Sequence, residues 1–127
     1  MGSQDNNEKT LREEDLAQFT GTSQWYKHWS GFLYTEGVRY LAERGCAYWL
    51  VDVIAFSQFH PIVRKDPMLQ KIQFWKLIVN EDCSARLICE RDEGDVVIIE
   101  EIPFTDFPLR QVRVYCQQGV LLLPSEY

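Results

Sequence analysis

The feature that most constrains this chain is a change of apolar period near Pro67. Before it, apolar side chains recur three or four residues apart, as on one face of a helix. After it they alternate, as on a strand. Helices first and strands after, with short turns and no helix between the strands, predicts an α+β fold. N-terminal helices would pack on one face of a C-terminal antiparallel β-meander of four to five strands. At 127 residues the chain has room for one core. The expected division is a disordered tail over 1–9 and a single α+β domain over 10–127, helical over 10–70 and sheet over 71–127.

Local chemistry fills in the elements. Thr10 and Glu13 form a capping-box pattern ahead of a short helix through Leu16 and Phe19, broken by Thr20-Gly-Thr22. Trp25, Trp29 and Phe32 or Leu33 fall at helical spacing and predict an aromatic helix face. Thr35 is placed to cap a helix over Glu36 to Arg44, with Gly45 at a left-handed C-cap. Ala47 to His60 is apolar nearly all round, which predicts a central, buried helix stopped by Pro61. Asp66-Pro67 can start one more helical turn. Strands are expected over Ile72 to Val79 (central, with two apolar faces), Ala85 to Arg91, Val96 to Ile102, Gln111 to Cys116 and Val120 to Leu123. Asp92 to Asp95 forms a tight turn, and Phe104 to Leu109 a loop in which Asp106 turns on its own backbone.

The net charge of -6 disfavours phosphate backbones at long range, so nucleic acid is not the expected partner. The densest basic cluster, Arg64-Lys65 with Lys71, reads as a solvated loop. The cysteines Cys46, Cys83, Cys89 and Cys116 contain no Cys-x-x-Cys pair. They are expected as reduced core residues of a cytoplasmic protein, with no metal and no cofactor. Asn6 breaks the myristoylation pattern after Gly2, and no apolar run reaches a membrane span.

Phe19-Thr-Gly-Thr22, Tyr34-Thr-Glu-Gly-Val38, Ala47-Tyr-Trp-Leu50, Ile102-Pro-Phe-Thr-Asp-Phe-Pro-Leu109 and Gly119-Val-Leu-Leu-Leu-Pro-Ser-Glu-Tyr127 resemble an uncharacterised bacterial family, a domain of unknown function. The likeness spans residues 16–127. It implies a small, stand-alone bacterial protein with Tyr127 as its natural end, and carries over no activity or site.

Asp52 lies in a segment that otherwise reads as buried, so it needs a partner: His28, Arg39 or an indole N–H. It is either a clasp between helices or a carboxylate in a pocket with His28. Asp52 with His28 or His60 lacks a third member for a hydrolytic triad, and no catalytic residue is assigned. Trp25, Tyr26, His28, Trp29, Tyr34 and Asp52 form the candidate pocket or interface. Asp92, Glu93, Asp95, Glu100 and Glu101 form an acidic surface. The ligand order around Gly94 does not fit an EF-hand. One of Glu100 and Glu101 must face the helix layer, which places that strand near an edge. The leading expectation is a non-catalytic interaction module whose partner is another protein or a second copy of itself. The alternatives are a small enzyme or ligand-binding protein with a pocket at His28 and Asp52, or an acidic inhibitor that imitates nucleic acid.

Overall fold

The period change falls where the alternation begins. In the computed structural model, which describes residues 11–21 and 24–127, helix ends at Lys71 and strand starts at Ile72. The tail over 1–9, and the positions Thr10 and Thr22, lie outside the described residues. Among those described, five α-helices join a seven-stranded mixed sheet in an α+β fold. The elements are α1 (Glu13–Ala17), β1 (Trp25–Lys27), β2 (Leu33–Thr35), α2 (Glu36–Arg44), α3 (Tyr48–Ser57), α4 (Pro61–Arg64) and α5 (Pro67–Lys71). They continue as β3 (Ile72–Val79), β4 (Ala85–Glu90), β5 (Val96–Ile102), β6 (Gln111–Gln117) and β7 (Val120–Leu122), with a final 3-10 turn at Pro124–Glu126.

Strand β3 is central because both its faces are apolar; it pairs antiparallel with β4 and with β6. The full order is β1-β2-β7-β6-β3-β4-β5. This corrects the expected meander in two ways. After β5 the chain crosses back to lay β6 on the far side of β3. Then β7 pairs in parallel with β2, so the sheet is mixed and larger than four or five strands. A parallel pair between distant segments leaves no local pattern to read.

The aromatic helix expected over Trp25 to Leu33 is instead the β1–β2 hairpin, paired Trp25↔Thr35 to Lys27↔Leu33. Its strands have three residues each, too few to show a period of two. The five residues between them, 28–32, restore a spacing that imitates a helix. Gly31 makes the turn possible: its φ of +96° is one that side-chain-bearing residues rarely adopt.

Helix α3 lays Leu50, Val51, Ile54 and Ala55 against the sheet. Leu50 and Ile54 meet Trp75, Leu77, Leu87, Val112 and Val114. The expectation of burial all round fails, since Tyr48 and Phe56 are exposed and Asp52 is only half-buried. Thr35 caps α2 as expected, accepting from Val38 N–H at 3.3 Å. Gly45 does not take a left-handed conformation; that falls to Cys46, at φ 52°. Glycine at 45 is a matter of space, because a Cβ there would stand 2.5 Å from Cε1 of Phe107. Helix α1 is entered from Arg12, whose backbone N–H donates to Asp15 Oδ2 at 3.2 Å. In the loop after β5, Thr105 rather than Asp106 makes the local turn, its hydroxyl accepting from Phe107 N–H. Cys89 and Cys116 are core residues, but Cys46 and Cys83 are exposed, against the expectation of four buried thiols.

Candidate functional site

The β1–β2 turn carries His28, Trp29 and Ser30. Gly31 N–H closes it on His28 O at 2.8 Å. The His28 ring folds back over the turn, so that Nδ1 accepts from Ser30 N–H at 3.1 Å, with Ser30 Oγ at 2.8 Å. A backbone N–H can only donate, so Nδ1 is an acceptor and the ring proton sits on Nε2. Nε2 meets Asp52 Oδ1 at 2.6 Å and donates to it. The His28 side chain is 6% exposed and that of Asp52 49%. The contact ties the hairpin to α3, where a clasp between two helices was one of the expectations.

Sequence reasoning found no third member for a triad. The structure brings Ser30 into that position, giving a chain Ser30 Oγ, His28, Asp52. The Nδ1 lone pair is already shared with a backbone N–H, and serine and histidine lie two residues apart in one tight turn. Turn stabilisation accounts for the two contacts between Ser30 and His28.

Clasping the turn fixes Trp29. Its indole stacks on His28 at 5.4 Å and meets Phe56 edge-on at 5.2 Å, yet the residue is 77% exposed. Phe59, one turn further, is 59% exposed. Phe56 and Phe59 were not singled out from sequence. Their signal is the stripe Tyr48, Asp52, Phe56, one side of a helix marked by its only charge, with Phe59 in the turn that follows. The other candidates stand apart. Tyr26 stacks on Tyr34 at 5.7 Å under the guanidinium of Arg39, 4.6 Å from the ring centroid. The Tyr26 hydroxyl, with Glu43, raises the Arg39 pKa. Trp25, 53% exposed, borders a separate groove with Gln117, Val120 and Glu126.

The acidic residues lie along β5 and the turn before it. β5 is an edge strand with β4 as its one neighbour. Glu101 pairs with Arg86 at 2.9 Å and Asp95 with Arg91 at 2.8 Å. Glu100, opposite Leu87, is on the helix side of the sheet and is nonetheless exposed. Arg91 also binds Asp66 at 2.6 Å. Desolvation pushes the Asp66 carboxyl up, but Arg91 and the N–H groups of Met68 and Leu69 outweigh it, and the pKa is lowered. No cluster of three metal-ligating side chains occurs among the described residues. No helix among them is long and apolar enough to cross a membrane.

Fold and site together define an α+β protein in which a short hairpin, pinned to a helix by a histidine–carboxylate contact, displays a tryptophan at one end of a mixed sheet. The chain belongs to a family of unknown function, DUF6876, whose model matches residues 10–127, in keeping with the resemblance read from its motifs. No curated protein and no solved structure matches it.

Proposed function

We propose that this domain is a non-catalytic protein-interaction module that uses Trp29, flanked by Phe56, as its anchor. One observation carries the reading: Trp29, 77% exposed, nonetheless packs its indole on His28, itself bonded to Asp52, and on Phe56. A rigid exposed aromatic loses little conformational entropy on binding, which is what an interface hot spot requires. The acidic edge of β5 would favour a basic partner surface. Surface thiols at Cys46 and Cys83 suit a reducing compartment, such as a bacterial cytoplasm.

The test compares partner capture and self-association of the native protein with those of Trp29→Ala and a control, Tyr127→Ala. Trp29→Ala is expected to unfold at the native temperature while weakening binding by about 2 kcal/mol or more. Capture and self-association unchanged by Trp29→Ala would overturn the proposal.

The contact chain Ser30, His28, Asp52 favours a second reading, a small hydrolase or ligand-binding site. Ester hydrolysis lost in Ser30→Ala without loss of stability would favour it over the first. Charge mimicry of nucleic acid is the weaker reading, because Arg86 and Arg91 interrupt the acidic run.

A further inference from the structure

The sheet face away from the helices carries a groove of about 340 Å³ that is independent of the Trp29 patch. Register fixes its plan. Arg113 and Lys76 are direct partners across β6 and β3, and their side chains share this face. Two residues along, Tyr115 and Phe74 are partners, their rings edge-to-face at 5.1 Å, with Glu90 opposite Phe74 on β4. Asp92 and Glu93 complete the lining beyond Glu90. The cation row and the aromatic row are two residues of strand apart, roughly 7 Å, and Glu90 stands beside Phe74 in the aromatic row, with Asp92 and Glu93 past the end of β4.

The charges are separated rather than paired. Like charges directly opposite in a sheet are destabilising. Yet neither Lys76 nor Arg113 has a carboxylate within 4.0 Å among the described residues, although three line the same groove. Where Arg86 and Arg91 sit on the same sheet, each has taken a carboxylate partner. A cation pair with no direct ion-pair partner, beside two half-buried rings, fits a ligand that brings its own anion and its own flat ring. Glu90 beside the rings and Glu93 past it accept from donors, so a ring with an amine on that side fits them.

We propose that this groove binds an amine-bearing aromatic anion of the nucleoside monophosphate class. Its phosphate lies between Lys76 and Arg113, its base lies against Phe74 and Tyr115, and its exocyclic amine faces Glu90 and Glu93.

The test is an NMR titration of the full chain with adenosine monophosphate, with adenosine, inorganic phosphate and uridine monophosphate as separate arms. Adenosine monophosphate is expected to shift Phe74, Lys76, Arg113 and Tyr115 along one saturation curve. Adenosine alone and phosphate alone should each bind at least about tenfold more weakly, since each keeps only one set of contacts. Uridine monophosphate, with no amine, should bind severalfold more weakly. Lys76→Ala with Arg113→Ala should abolish saturation while leaving the melting temperature at or above the native value, because a like-charge pair is removed. Glu90→Gln with Glu93→Gln should erase the preference for the amine. The proposal is overturned by any of three results: no saturation by about 10 mM, which would fill most of a millimolar site; phosphate binding as tightly as the nucleotide; or binding unchanged in the double alanine variant.

Discussion

Replacing Asp52 by alanine and by asparagine separates two descriptions of the hairpin clasp. With Nδ1 accepting from Ser30, His28 is a neutral ring that donates Nε2–H to Asp52. Alanine at 52 leaves that N–H, on a side chain 6% exposed, without a partner, at a cost of about 1–3 kcal/mol. Asparagine keeps an Oδ1 acceptor in place and gives up only the ionic part of the bond. The carboxylate is 49% exposed and shares that part with water, so the expected cost is below about 1 kcal/mol. Urea unfolding at fixed pH measures both, provided the two m-values agree. Asp52→Ala is expected to be the more destabilising by about 1 kcal/mol or more. An imidazolium–carboxylate ion pair would make asparagine nearly as damaging as alanine. Equal costs for the two variants, or no cost for alanine, would refute a neutral His28 ring that donates to Asp52.

Two further outcomes follow from the core. Gln73, 1% exposed, accepts from Trp75 Nε1–H at 2.9 Å, donates to Leu69 O at 2.9 Å and exchanges amide bonds with Gln58. Gln73→Met keeps the volume but strands the indole N–H and the carbonyl, so urea unfolding should show a loss above about 2 kcal/mol, where a shape-conserving swap costs less than about 1.5. Thiol labelling of the native protein should modify Cys46 and Cys83 only, with Cys89 and Cys116 reacting on unfolding. Burial pushes both core thiols up to about 12 from an ordinary 9.0. A folded pKa above the unfolded one gives stability that is complete below pH 9 and declines as pH rises towards about 12. The urea midpoint should therefore fall from about pH 9 upward, and less so in Cys89→Ala.

The parts of the fold legible in the sequence are those written locally. Thr35 before Glu36, Asp66 before Pro67 and the alternation from Ile72 each declare an element within a few residues, and the two apolar faces of β3 declare its central place. Asp52 stood out because one carboxylate in an apolar helix demands a partner, and His28 was among those it could reach. What stayed hidden was non-local or too short. The β2–β7 pairing joins segments that carry no mark of each other. The hairpin strands are three residues long, and Trp25 and Trp29 happen to sit four apart. Ser30-Gly31 was the missed turn signal. Ser30 escaped notice beside His28 because a triad is sought among residues distant in sequence.

The parallel seam between Leu33–Tyr34 and Val120–Leu121 has a consequence for biosynthesis. Thr35 Oγ1 donates to Glu126 Oε1 at 2.6 Å, a tie across 91 residues. A nascent chain on the ribosome can wind α2 and α3 early, but β2 has no neighbour on its inner side until the stretch holding Val120 has emerged. Closing so long a loop is entropically slow. Until then the inner edge of β2 offers unpaired backbone groups, open to pairing with a neighbouring nascent chain.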